Sequence, residues 1–167
     1  IMLKGIRVLD FCNYVPGPYA GMRLADLGAE VIKVEPLTGD LGRAIGANEE
    51  EKGIVHDANN RHKKSIAINL KTKEGLKVAK KLVKEADVLI ESFRPGVMKR
   101  LGLNYERVKE LNSKLVYCSL SGYGQSGLLS KFGSHDLNYL AISGLLSQFK
   151  DKEGRPVHPT INLADLV

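Results

Sequence analysis

"IRVLDFCNYVPGPYAGMRLADLGAEVIKVE", residues 6–35, decides how the fold is read. Its first six residues, Ile6–Phe11, form a short β-like run. "NYVPGPYAG" then turns the chain, because Pro16 cannot extend a strand and Gly17-Pro18 punctuates before a helix. "YAGMRLADLG" reads as that helix, with Met22, Ala25 and Leu27 near one face and Gly28 as its stop. "AEVIKVE" follows as a second strand. Strand, helix and strand joined by short connections are the pattern of a parallel βαβ unit.

The same alternation continues downstream. "SIAINL" (65–70), "DVLIES" (87–92) and "KLVYCSLSG" (114–122) read as strands. Between them, "KTKEGLKVAKKLVKEA" is an amphipathic helix with Leu76, Ala79, Val83 and Ala86 at spacings of three and four. "NYERVKELN" is another, with Asn104 as a natural cap. "GSHDLNYLAISGLLS" (133–147) passes from small residues into an apolar helix, and "INLADLV" (161–167) looks like the start of one more. Residues 36–62 are polar, glycine-rich and without periodicity, so they read as one long loop, a feature more often functional than idle. The expected fold is α/β, a doubly wound and mostly parallel sheet with helices on both faces. Ligands on such sheets bind beyond the C-terminal strand ends. The unusual residues fall in the turns expected there, at Cys12–Gly21, Glu35–Gly46, Ser92–Gly96 and Ser121–Gly133.

The bulk numbers agree with an ordinary folded domain. The chain has 167 residues, 43% of them hydrophobic and 26% charged, which is a globular composition. A net charge of +6 suggests an anionic partner. Much of the excess is Lys73, Lys77, Lys80, Lys81 and Lys84, which read as a solvated helix face. No basic region, zinc-finger spacing or aromatic stacking platform supports nucleic-acid binding. Cys12 and Cys118 read as free thiols in a reducing compartment. No run of about 18 apolar residues suits a membrane span, and no signal peptide precedes the first strand. The expectation is a cytoplasmic protein with no membrane partner and no metal.

Three chemistries compete for the loops. Glu35 closes the second strand, where dinucleotide folds place a ribose-binding acid, but "NYVPGPYAG" is not G-x-G-x-x-G, which speaks against a nicotinamide enzyme. Arg43 in "GDLGR", Arg61 and Lys64 in "NNRHKKS" and Arg94 in "FRPG" are suited to phosphate. Each alone reads as a solvated charge; together, on loops expected at one sheet edge, they point to an anion site. His135 is the natural proton carrier. Asp136 beside it either orients a ring or favours a helix N-terminus. Asp165 lies 30 residues on.

"GIRVLDFCNYVPGPYAGMRLADLGAEVIKVE", "NNRHKKSIAINLK", "ESFRPGVMKRLGL" and "LVYCSLSGYGQSG", in this order, resemble the N-terminal part of the family III CoA-transferase and α-methylacyl-CoA racemase superfamily. The resemblance covers nearly the whole chain. It implies an acyl-CoA thioester as ligand, with Arg43, Arg61, Lys64 and Arg94 on the CoA phosphates. It implies no cofactor beyond the CoA of the substrate. "GSHDLNYLAISG" resembles the racemase HD-x-NY signature, which gives His135 and Asp165 the role of exchanging the α-proton from opposite faces, with Asp136 beside them. In the transferase branch Asp165 would instead be the nucleophile. The resemblance further implies that residues 1–167 are the N-terminal part of a Rossmann-like, CoA-binding large domain, incomplete here. The family's smaller second domain and C-terminal return would be absent from this stretch. It also implies interlocked homodimers. A third reading is a piece that only binds CoA or a partner chain.

Overall fold

A computed structural model describes residues 2–46, 48–50 and 53–166. The chain divides into two compact units, Ile1–Ser121 and Gly122–Val167.

The first unit is built on a five-stranded, wholly parallel sheet. Strand β1 (Arg7–Asp10) is followed by helix α1 (Pro16–Asp26) and β2 (Glu30–Glu35). Then come α2 (Ile54–Asn59), β3 (Lys64–Ala67), α3 (Lys73–Lys84), β4 (Val88–Glu91), α4 (Val97–Leu101), α5 (Tyr105–Leu111) and β5 (Val116–Ser119). The order across the sheet is β3-β2-β1-β4-β5. The winding therefore reverses at β1, and β4 pairs on its other side. Register follows the apolar runs: Leu9 lies opposite Ile32 on one side and Leu89 on the other.

Alternation along the strands separates two cores. Leu9, Phe11, Val34 and Leu89 face Ala79 and Val83 of α3 and Val108 of α5. Val8, Val31 and Ile90 pack with Cys12, Ala25 and Ala29 on the α1 side. Val8, Leu9 and Leu89 have no exposed surface, as expected for central strands covered on both faces. The doubly wound α/β expectation therefore holds for this unit.

Three local readings change. Helix α1 begins at Pro16, inside the segment read as a turn. Prolines are tolerated in a first turn, where the missing N–H has no intrahelical partner to lose. Leu27 caps this helix and is exposed, so it does not belong to the buried face with Met22 and Ala25. Residues 36–62 are not one irregular loop, for they hold a 3-10 turn at Leu41–Ala44, capped by the Asp40 side chain, and the six-residue α2. Elements this short carry too few apolar positions to show a period.

Helix α1 also shows why position 17 is glycine. A Cβ there would stand 2.2 Å from both Cβ and Sγ of Cys12. Only a bare backbone allows the first turn of α1 to close over the loop leaving β1.

The second unit holds α6 (Asp136–Ile142), a 3-10 turn at Leu145–Gln148 and the short α7 (Leu163–Leu166). The helices expected from "HDLNYLAI" and "INLADLV" are thus present.

Candidate functional site

The C-terminal edge of the sheet is built from carboxylates and buried ammonium groups. β1, β2 and β4 end on Asp10, Glu35 and Glu91, all buried. Asp10 accepts the Cys12 amide at 2.9 Å and the Lys63 ammonium at 2.7 Å. Lys63 also donates to the carbonyl of Pro18 and to Asn60 Oδ1. Burial lowers the pKa of Lys63, and the Asp10 charge opposes that shift. Lys33 Nζ donates to the Cys12 carbonyl at 2.8 Å and lies 2.6 Å from Asp40 Oδ2, an ionic contact off the hydrogen-bond angle. Asp40 Oδ1 receives the amides of Gly42 and Tyr14. These contacts tie the loops after β1 and β2 together, and the bond from Asn13 N to Ser92 Oγ at 3.3 Å ties the loops after β1 and β4. A crevice at the reversal of strand order is where such sheets take ligands.

Glu35 is held most tightly. Arg43 donates to it through Nε and Nη2, each at 2.8 Å; Ser65 Oγ and the Asp40 amide add two further bonds. The Arg43 hydrogen bonds carry its pKa down to about 2 against the opposing effect of burial. The acid that resembled a ribose ligand is thus committed inside the protein. Glu91 is different: burial raises its pKa, and its partners are the Phe93 amide and Ser119.

The four basic residues expected at a phosphate site do not share one place. Arg61 makes a two-pronged contact with Asp26, and Lys64 Nζ bonds Glu30 at 2.6 Å. Both partners lie where α1 ends and β2 begins. That is the end of the βαβ unit opposite Arg43, which is on Glu35, and Arg94, which follows β4. Arg61 and Lys64 are thus drawn to Asp26 and Glu30, although Lys63, between them in the sequence, reaches Asp10 at the C-terminal edge. Arg94 is exposed, and its guanidinium has no carboxylate partner among the described residues.

The second unit holds the residues expected to carry acid–base chemistry. His135 caps α6 and is exposed; its amide donates to Asn138 Oδ1 at 2.9 Å. Asp136 is buried and turns away from it. Asp136 Oδ1 accepts the amides of Ala164 at 2.6 Å and Asp165 at 3.3 Å, while Oδ2 lies 3.2 Å from His158 Nε2. Adjacent residues on a helix point in different directions, so the aspartate beside His135 serves α7 instead. Asp165 is half-buried. Burial and then the Asp136 charge raise its pKa, while His135, near enough to act on it, opposes them. The structure thus has His135, Asp136 and Asp165 near one another in the second unit. It adds His158, which the sequence showed only as part of a polar turn between Pro156 and Pro159. Nearby, Ser134 Oγ and Tyr139 Oη are 2.5 Å apart, and a Cβ on Gly122 would stand 2.0 Å from that phenol oxygen. A carboxyl group shifted toward neutrality beside an imidazole is equipped for proton transfer or for nucleophilic attack.

CoA-transferase family III matches residues 3–167. The chain belongs to this family. Family III relatives of both chemistries are similarly close. The succinate–glutarate CoA-transferase of Agrobacterium fabrum is 40% identical over 98% of this chain and 43% of its own length. The α-methylacyl-CoA racemase of Mus musculus is 42% identical over 98% of this chain and 39% of its own. A solved Mycobacterium tuberculosis structure, Rv3272, superposes with a TM-score of 0.90 at 39% identity, covering 98% of this chain and 45% of that one. The chain therefore spans about two fifths of the length of these family III relatives. No helix among the described residues is long and apolar enough to cross a membrane.

Proposed function

We propose that this chain is the acyl-CoA-binding part of a family III enzyme that epimerises the α-carbon of a 2-methylacyl-CoA. His135 serves one face of that carbon and Asp165 the other. The arrangement around Asp165 carries the reading: a half-buried carboxyl group with a raised pKa, its amide fixed by Asp136, and His135 close by. One group removes the α-proton as a base, the electron pair passes into the thioester carbonyl as an enolate, and the other group returns a proton to the opposite face. A carboxyl raised toward neutrality is better suited to returning that proton than an ordinary aspartate.

The CoA moiety supplies the phosphates. Arg94 and Arg43 lie after β4 and β2, on the ligand-binding side of the sheet, and Arg94 is without a carboxylate partner among the described residues. Arg61 and Lys64 would have to leave Asp26 and Glu30 to contribute. No cofactor other than the CoA of the substrate is required by this chemistry. A cytoplasmic homodimer remains part of the proposal, in keeping with the two unpaired cysteines.

A second reading is supported by the transferase relatives at equal identity: Asp165 attacks the thioester carbonyl, expelling CoA thiolate and forming a mixed anhydride. One experiment separates the two. Each enantiomer of a 2-methylacyl-CoA is incubated in deuterium oxide with the full-length protein, and the protein is then analysed for an acyl adduct on Asp165. Deuterium at the α-carbon supports epimerisation. An adduct without deuterium supports transfer and ends the racemase reading.

A further inference from the structure

His158 has no place in either mechanism, yet it makes the one side-chain contact of a histidine with the buried Asp136. Asp136 uses its other oxygen on the amides of Ala164 and Asp165. A carboxylate so placed has two effects on its neighbour. It fixes the backbone that carries Asp165, and its negative charge disfavours a second negative charge there. Fixing is useful to both chemistries, but an uncompensated charge disfavours ionisation of Asp165, which hinders its action as base or nucleophile. The group able to separate the two effects is a cation on the far oxygen of Asp136. His158 Nε2 occupies that position at 3.2 Å, with its ring 43% exposed and so open to solvent protons.

Among the described residues of this unit, other charges do not offer an alternative. The groups about this pair are Asp136 on α6, His135 at its N-cap and Asp165 on α7. The 3-10 turn Leu145–Gln148, which packs on α6, has no charged residue. Arg155, three residues before His158, is bound to Asp151 and Glu153.

We propose that His158 is a positioning residue: by neutralising Asp136, it lets that carboxylate hold the α7 amides without imposing its full charge on Asp165. This rests on Asp165 being the proton carrier or nucleophile of the proposed function. As a consequence, the acid limb of the reaction is set in part by a residue that never touches substrate.

The test uses the full-length protein, its His158→Gln variant, which keeps a hydrogen-bond donor but loses the charge, and His158→Arg, which restores a cation. The pH profile of α-proton exchange, or of adduct formation on Asp165, is followed in each. In His158→Gln the acid limb should move up by about half to one pH unit, with the plateau rate changed less than about twofold. His158→Arg should bring it back. An unmoved limb in His158→Gln, or the same shift in both variants, overturns the proposal. So does an equal loss at every pH together with a lower Tm, which is the mark of a purely structural role. Independently, the ring nitrogen chemical shifts of His158 are followed by NMR in the wild type and in Asp136→Asn. The Nε2 shift should change when the Asp136 carboxylate is removed, and an unchanged shift also overturns the proposal. If the wild type shows neither exchange nor adduct, the role of Asp165 fails by itself, and the NMR result still decides whether His158 and Asp136 act as a pair.

Discussion

The acids at the strand ends and the acids of the second unit are treated in opposite ways. Asp10, Glu35 and Asp40 each have a full cation within 2.8 Å: Lys63, Arg43 and Lys33. Among the described residues Asp165 has none, and Asp136 has only a half-exposed imidazole. Burying a carboxylate is costly unless it is paired and hydrogen-bonded. In the sheet unit that cost is met within the protein, so those acids are fixed as architecture. In the second unit it is left partly unmet, and burial and the Asp136 charge raise the pKa of Asp165. Glu91, at the end of β4, differs, with a raised pKa and no cation among the described residues.

The sharpest test of this contrast is to remove members of the second unit. In the full-length protein, Asp165→Ala and His135→Ala should each lower α-carbon epimerisation by ~10²–10⁴-fold, as for the loss of a general acid or base. Thermal melting should stay close to wild type. Each variant should retain deuterium exchange mainly on one enantiomer, and on opposite ones. Full exchange of both enantiomers by His135→Ala would end its role as proton carrier.

The reverse is expected of the sheet unit. Lys63→Ala leaves Asp10 as a fully buried and uncompensated charge, which should destabilise the fold by ~3–5 kcal/mol in urea unfolding. Lys63→Met with Asp10→Leu should recover much of that loss if the pair is architectural. A single variant with unaltered stability would remove the distinction between the two regions.

Acid unfolding probes the same contrast through Glu35. Its pKa is about 2 in the fold against 4.5 for the free side chain. A depressed carboxylate stabilises the fold fully above about pH 4.5, and that stability is lost as the pH falls through about 2. The contribution is on the order of 3 kcal/mol from the size of the shift. Glu35→Gln should therefore flatten the decline of stability between these limits. An unchanged decline would show that Arg43 does not govern Glu35.

The smallest effect is expected at Arg94. By calorimetry, Arg94→Ala should weaken CoA binding by ~1 kcal/mol and leave pantetheine binding unchanged, with a flatter salt dependence. Equal affinity of the wild type for CoA and pantetheine would remove the phosphate site altogether.

How far the sequence could be read follows the range of the interactions. The βαβ unit of residues 6–35 was legible because strands and α1 are long enough to show their periods, and because proline and glycine mark the turn. Helix α2 was not, since its start depends on Gly53 in a left-handed conformation and on neighbours that a six-residue window does not contain. The adjacency of His135 and Asp136 suggested a pair. The helix separates their side chains and gives Asp136 to His158, 22 residues away, a contact set by the path of the intervening turn. The basic residues were recognisable as a class, but their partners are a property of topology rather than spacing.

The closure of α1 over Cys12, made possible by Gly17, turns that thiol into a clock. Cys12 is 1% exposed, and burial raises its pKa further from the reactive thiolate. An alkylating reagent can therefore reach it only when the first turn of α1 lifts from the loop. Cys118 is half-buried and serves as an internal reference. The ratio of the two labelling rates measures how often the C-terminal end of β1 opens, with no fluorophore or added mutation. If CoA binds across that end of the sheet, saturating CoA should slow the labelling of Cys12 while Cys118 continues at its own pace.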